Sequence, residues 1–483
     1  MKKSKRILAA ALTAVLLLTG LCGCSSNHAE TVKLDKDHPV NIDIWHYYNG
    51  AQKNAFDELV SEFNTTVGRD MGIVVEAYSQ GNIAQLVENV LDSANNKVGT
   101  EPVPNIVAAY ADSAYQFDQM GLVVSLEKYL TEDEIEEYIP SYIEEGRLGK
   151  GQELKIFPTA KATEVLMINK TDWDKFAAKT GYSLDKLSTV EGLIEVAESY
   201  YVWSGGKAFY GRDAMANYII IGCKQLGSEI FSVDSEGKVT FQVDDDIMRR
   251  LWQCYYVPYI KGWFASYGKF RSDDAKVGDI LALVGSTTTA TYFPKEVIVD
   301  DTNSYPIEAA VMPAPIFKDG EICAVQQGAG MVVTKKTAKE EYASTVFLKW
   351  FTEAQRNTEF AIEAGYLPVK KEASKAEGIN KALDSATNTE FSVTMRQTLS
   401  VAVKMTEDYQ LYTNRAFEGG AQARDVLEYS MSDKAMEDAA KIQELMDAGT
   451  DYSTAVAMFD TEENFQEWLT QFKQELAATQ EGK

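Results

Sequence analysis

The sequence predicts an α/β fold divided between two lobes, on three observations. Strands and helices alternate through the first part of the chain, the pattern of a mainly parallel sheet. At 483 residues the chain is too long for one typical core. A strand-rich region, a helical region, a return to strands and a helical end then follow one another. That is the order of a chain that crosses between lobes more than once.

The fold begins at Val40, where Val40-Asn41-Ile42-Asp43-Ile44-Trp45 alternates with the period of a strand. Asn49-Gly50 marks a turn. Over 51–63, Ala55, Phe56, Leu59, Val60 and Phe63 recur at helical spacing, so one face of this helix is buried. A second strand is expected over 73–78, a second helix over 83–91, a third strand over 104–110 and a third helix over 113–120, ending at Gly121. An extended segment covers 155–170, and the chain is then mostly helical and aromatic to about Phe264. Short apolar strands are expected over 280–284, 307–311 and 330–333, and helices with loops from about Lys335 to Gln480. In such sheets a ligand sits beyond the carboxyl ends of the strands, which nominates 45–50 and 110–112 as binding loops.

The N-terminus carries Lys2, Lys3, Lys5 and Arg6, then an apolar run over 7–18 that is too short to span a bilayer but suits a signal peptide. Leu21-Cys22-Gly23-Cys24 follows and resembles a bacterial lipobox, with Cys24, preceded by a small residue, as the lipidated cysteine. The chain thus divides into a signal peptide (1–23), a polar lipid-anchored linker (24–38) and a domain held to the outside of the membrane by its lipid alone. The net charge of −25 argues against nucleic acid and against direct adsorption to anionic lipid. Cys223, Cys254 and Cys323 give no disulfide framework: one bridge or three buried thiols both fit. His28, His38 and His46 form no cluster with metal-ligand spacing, so neither metal nor cofactor is expected.

Four segments resemble the extracellular solute-binding proteins of family 1, the maltose- and glycerol-phosphate-binding group that serves ATP-driven importers. They are Ile44-Trp45-His46-Tyr47-Tyr48-Asn49-Gly50 with 59–64; Pro104-Asn105-Ile106-Val107 with Tyr110, Asp112 and Gly121-Leu122-Val123; Phe157-Pro158 through Thr163-Glu164-Val165-Leu166 to Asn169-Lys170; and Gly328-Ala329-Gly330-Met331 with 343–351 and Gly365-Tyr366-Leu367-Pro368-Val369. The resemblance covers about 40–369 and is weak beyond Ala373. It implies a periplasmic-binding-protein-like fold, with an N-lobe over 39–156 and 283–332 and a C-lobe over 157–282 and 333–483. Hinge crossings are implied near 157–159, 281–284 and 331–333. It further implies a monomer that closes on a small molecule in the interlobe cleft and passes it to the permease subunits of an ABC importer, without catalysis.

A sugar needs aromatic platforms and planar polar side chains, and 7 Trp, 25 Tyr and 20 Phe supply the platforms, although aromatics also fill cores. At the first strand end the candidates are Trp45 (or a core indole), Tyr47, Tyr48 and Asn49. Tyr110 and Asp112 match cleft-facing positions of the family, Asp112 being also a candidate helix cap. Thr163 and Glu164 follow the first crossing, and Glu164 accepts hydroxyls or pairs with a basic residue. Tyr210, Asp213 and Asn217 lie where the family offers cleft contacts. Trp263 and Tyr267 are further candidates to flank the cleft. Ser286 and Thr287, then Gln327 and Gly328, resemble cleft-lining turns, and Tyr366 sits in a turn that can close over ligand. The favoured ligand is a carbohydrate, taken as an oligosaccharide. Other readings stay open: an anion such as glycerol phosphate held by Lys161, Arg212 or Arg415; an adhesive surface lipoprotein; and a secreted glycosidase, for which no Gly-x-Ser-x-Gly elbow, phosphate loop or distinctive carboxylate pair is present.

Overall fold

The computed structural model describes residues 32–234, 236–385 and 393–481. The signal segment, the lipobox with Cys24, His28 and most of the linker lie outside the described residues.

The first sheet has five strands in the order Ile73–Ser79, Val40–His46, Ile106–Ala109, Gly330–Val333, Ile156–Phe157. The first three are parallel, and Gly330–Val333 runs antiparallel to both neighbours. Helix Gly50–Thr65 buries the five apolar residues its spacing predicts. Helix Ile83–Ala94 starts at an Asn82–Gln85 capping box, which satisfies its first amide groups. The second sheet has the order Ala309–Pro313, Glu164–Asn169, Ala282–Ser286, Tyr210–Arg212. Glu164–Asn169 is buried throughout, and its period of two splits two cores. Leu166 and Ile168 face the core that holds helices Met215–Gln225, Asp245–Ile260 and Gly420–Asp447, whereas Val165 and Met167 face the one under Val393–Asp408.

The lobe boundaries differ from the expectation in two places. Ala282–Ser286 pairs with Glu164–Asn169 and Tyr210–Arg212, so it stands inside the second sheet, and neither 281–284 as a crossing nor 283–326 as N-lobe holds. Helices Ala338–Phe351 and Ala354–Ala364, placed with the C-lobe, put Phe347, Phe351 and Phe360 into the first lobe's core. A short apolar strand or helix face advertises burial but not which core receives it.

The crossings near 157–159 and just before Gly330 are joined by a third passage after 365–371. They lie side by side: Ala162 and Gln327 exchange backbone hydrogen bonds of 2.8 and 3.0 Å, and Lys161 and Leu367 bonds of 3.1 and 2.6 Å. Gly328 has φ +97°, and a Cβ there would lie 2.9 Å from Ala160 O, so only glycine fits this close approach. Lys161, almost fully buried, pairs with Glu145 at 2.7 Å and donates to Gly328 O at 2.8 Å.

Candidate ligand-binding cleft

Two joined cavities lie where the strands of both sheets end. The first, about 750 Å³, separates the lobes. Tyr110, Asp112 and Glu145 line it from the first lobe, Gln326 and Gln327 from the crossing, and Asn217 and Arg424 from the second lobe. Helix Ala111–Gln119 carries Asp112 towards the N-terminus of helix Gly420–Asp447, where a Cβ on Gly420 would lie 2.7 Å from Asp112 Oδ1. The lobes therefore touch at this point. Burial pushes the Asp112 carboxyl up, and the nearby Arg424 guanidinium only partly opposes this.

A polar chain forms the floor at the hinge. Arg212 Nη2 donates to Glu164 Oε2 at 2.8 Å. Asn217 Nδ2 donates to Glu164 Oε1 at 2.8 Å and to Gln327 Oε1 at 2.9 Å, and Asn217 Oδ1 accepts from Arg424. Two buried acceptors in the cavity lining, Asp112 Oδ1 and Gln326 Oε1, have no hydrogen-bond partner.

The second cavity, about 920 Å³, meets the first at Ala214 and Gln327, which line both. Ala214 is left-handed (φ +52°) at the start of helix Met215–Gln225, so Asp213 lines one cavity and Asn217 the other. Among the described residues seven large aromatics are exposed, and four of them, Tyr267 (69%), Tyr292 (67%), Tyr429 (57%) and Phe270 (52%), line this cavity.

The candidates thus sort by position. Tyr110, Asp112, Asn217 and Gln327 line the interlobe cavity, and Glu164, Asp213, Ser286 and Gln327 the aromatic one. Tyr210 lines a smaller enclosed cavity behind Glu164 and packs edge-on against Phe264 at 4.8 Å. Tyr47 is half-buried, its ring stacked on Tyr110 at 6.2 Å and its hydroxyl 3.4 Å from that of Tyr366. Trp45, Tyr48 and Tyr366 are corrections: all three are buried in the first core, Tyr48 packed on Phe56 and Phe360, Tyr366 stacked on Phe360, and Trp45, inside the strand Val40–His46, as the core indole its other reading offered. Thr163, Thr287 and Gly328 are buried at or beside the crossings. Asn49 braces its own loop, donating to Tyr47 O at 2.9 Å and Gly81 O at 2.6 Å. Trp263 lines neither cavity, whereas Tyr267 does line the aromatic one. Of the cations considered for an anion, Lys161 and Arg212 are paired with carboxylates, and Arg415 lines a separate cavity with Glu144, Glu145 and Glu229.

Arg424, Glu428, Tyr429, Phe270 and Tyr292 are cleft residues that sequence reasoning missed. The 3.6-residue period over 423–435 reveals the buried face of the helix but not what its other face meets. Cys223, Cys254 and Cys323 are buried and free, and burial pushes each thiol up to about 12. Among the described residues no His, Cys, Asp and Glu group is arranged to hold a metal ion, and no helix is long and apolar enough to cross a membrane.

Residues 58–387 match the profile of the bacterial extracellular solute-binding proteins, and the chain belongs to that family. No curated protein sequence matches it. Its fold is similar to that of the cyclic alpha-maltosyl-1,6-maltose binding protein from Arthrobacter globiformis (18% identity, TM-score 0.65, covering 91% of this chain and 99% of that one). It is also similar to UgpB from Mycobacterium tuberculosis, solved with glycerophosphocholine (16%, 0.63, 90% and 99%). A third similar structure is an ABC substrate-binding protein from Listeria monocytogenes with cycloalternan (13%, 0.61, 83% and 97%).

Proposed function

We propose that this solute-binding protein captures a carbohydrate, taken as an oligosaccharide, between its lobes and delivers it to the permease subunits of an ABC importer. The observation that carries this reading is the junction of an aromatic groove with a polar cavity whose buried unpartnered atoms are both acceptors. Sugar rings stack on exposed aromatic faces, and sugar hydroxyls donate to Asp112 Oδ1 and Gln326 Oε1. The similar proteins solved with cyclic glucans or named for them agree with this. The protein acts by binding alone, as a monomer held outside the cell by lipid on Cys24. Its lobes turn about the three hydrogen-bonded crossings, and a ligand touching both selects the closed state.

One observation favours an anionic solute instead. Among the described residues Arg424 forms no ion pair and donates one N–H to Asn217 Oδ1, which leaves its other N–H groups to a phosphate. A thermal-shift screen of the purified protein against mono- and oligosaccharides, with glycerol phosphate included, separates the two. A ligand at a hundredfold excess over its Kd adds about 2.7 kcal/mol to stability. A shift of several degrees with one sugar class is expected. A shift with glycerol phosphate alone replaces the sugar by the anion, and no shift across the panel contradicts the carbohydrate reading.

A further inference from the structure

Helix Gly420–Asp447 lies outside the part of the chain that matches the family profile, yet it walls both cavities. Arg424 lines the interlobe cavity, and Glu428, Tyr429, Ser432, Asp433 and Met436 line the aromatic one. Their spacing puts them on one side of the helix, while Ala423, Leu427, Met431 and Ala435 bury the other side in the second lobe. The wall is rigid. Asp438, fully buried, accepts from Tyr256 at 2.6 Å and Asn464 at 3.1 Å, and pairs with Lys434 at 2.7 Å. Near the other end Glu428 accepts from Ala216 N at 2.8 Å. From Arg424 to Met436 the wall runs about 18 Å along the helix axis. That is the length of a short oligosaccharide and well beyond a single sugar ring.

We infer that this helix reads ligand length. Arg424 stands at the hinge end beside Asp112 and Asn217, where the first ring binds. Tyr429 offers an aromatic face to the rings that follow, and Met436 marks the far end. The inference rests on the carbohydrate reading of the same cleft and assigns the specificity of that site to a segment beyond the family match. Tyr429 is its main specificity-determining residue, because it is the exposed aromatic on the wall and its loss removes a stacking surface without opening a core.

Calorimetric titration with a ladder of α-linked gluco-oligosaccharides, from mono- to hexasaccharide, tests this on the full chain and on Tyr429→Ala. Affinity is expected to rise with each unit until the wall is filled and then to level off. Tyr429→Ala should weaken the longest ligands at least tenfold and the monosaccharide, whose one ring sits at Arg424, less than twofold. Met436→Ala, a second surface change, should move only the longest members. Equal affinity along the ladder, or an equal loss for short and long ligands in Tyr429→Ala, overturns the length-reading role while leaving carbohydrate capture intact. Absence of binding by every member, with binding of another solute, overturns both.

Discussion

At the scale of the residue, the cleft depends on side chains whose neighbours are remote in sequence. Asp112 is the clearest case. Its place at a helix start is legible, but its contact with Gly420, more than three hundred positions away, is a tertiary fact that no local pattern encodes. Burial raises its pKa, so the folded state binds the proton more tightly than the unfolded chain does. The stabilisation from this preference is fully present below the ordinary carboxylate pKa and is lost as pH rises through the raised value. Asp112→Asn, which needs no charge desolvated, should therefore melt higher than the wild type at neutral pH, and the two should converge on acidification. Melting curves across that range check the sign, and a gap that widens towards acid contradicts it. Tyr48 shows the reverse limit: the strand end was legible, but not that the chain beyond it packs this ring into the core, beside Trp45 of the strand itself. His46 went with them, and burial pushes its pKa down to about 4, so it stays neutral in the core.

At the scale of the element, the sequence was a good guide wherever one face is apolar and the other polar. The helix of 50–65 buries the residues its spacing named, and the strands at 40, 73 and 106 form within a few residues of their expected bounds. Assignment of elements to lobes was poorer. Ala282–Ser286 and Ala338–Phe351 changed sides because apolar character states that a face is buried and not against what. The long helix at 420 was legible as a helix, whereas its polar face reads as ordinary solvated surface until the cavities are seen. Its clamp, Asp438, is a buried carboxylate. Burial raises its pKa, but hydrogen bonds from Lys434, Tyr256, Asn464 and Lys441 outweigh that and hold it below the usual range. Its stabilisation is therefore present above the ordinary carboxylate pKa and lost as pH falls through the lowered value. Asp438→Ala leaves the buried Tyr256 hydroxyl without its acceptor and removes the ion pair to Lys434, and urea unfolding at pH 7 should show a loss of about 3 kcal/mol that shrinks in acid. A loss under about 0.5 kcal/mol, the size of an ordinary surface change, contradicts the clamp.

At the scale of the whole molecule, two sheets are joined by three passages that pair with one another, and a buried Lys161–Glu145 contact fixes where they cross. Gln326 donates to Glu145 and lines the interlobe cavity, so the crossing and that cavity share a side chain. The family was legible from four loose motifs in the right order, because crossings and strand ends are the parts of this fold that sequence marks most strongly. The aromatic groove was not, since its rings come from three separated segments. Capture of a carbohydrate by closure of the lobes is best checked by small-angle X-ray scattering of the protein titrated with a gluco-oligosaccharide. The radius of gyration should fall and saturate with the same midpoint as calorimetric binding. Binding with an unchanged radius, or no response of either signal to any sugar, would contradict it.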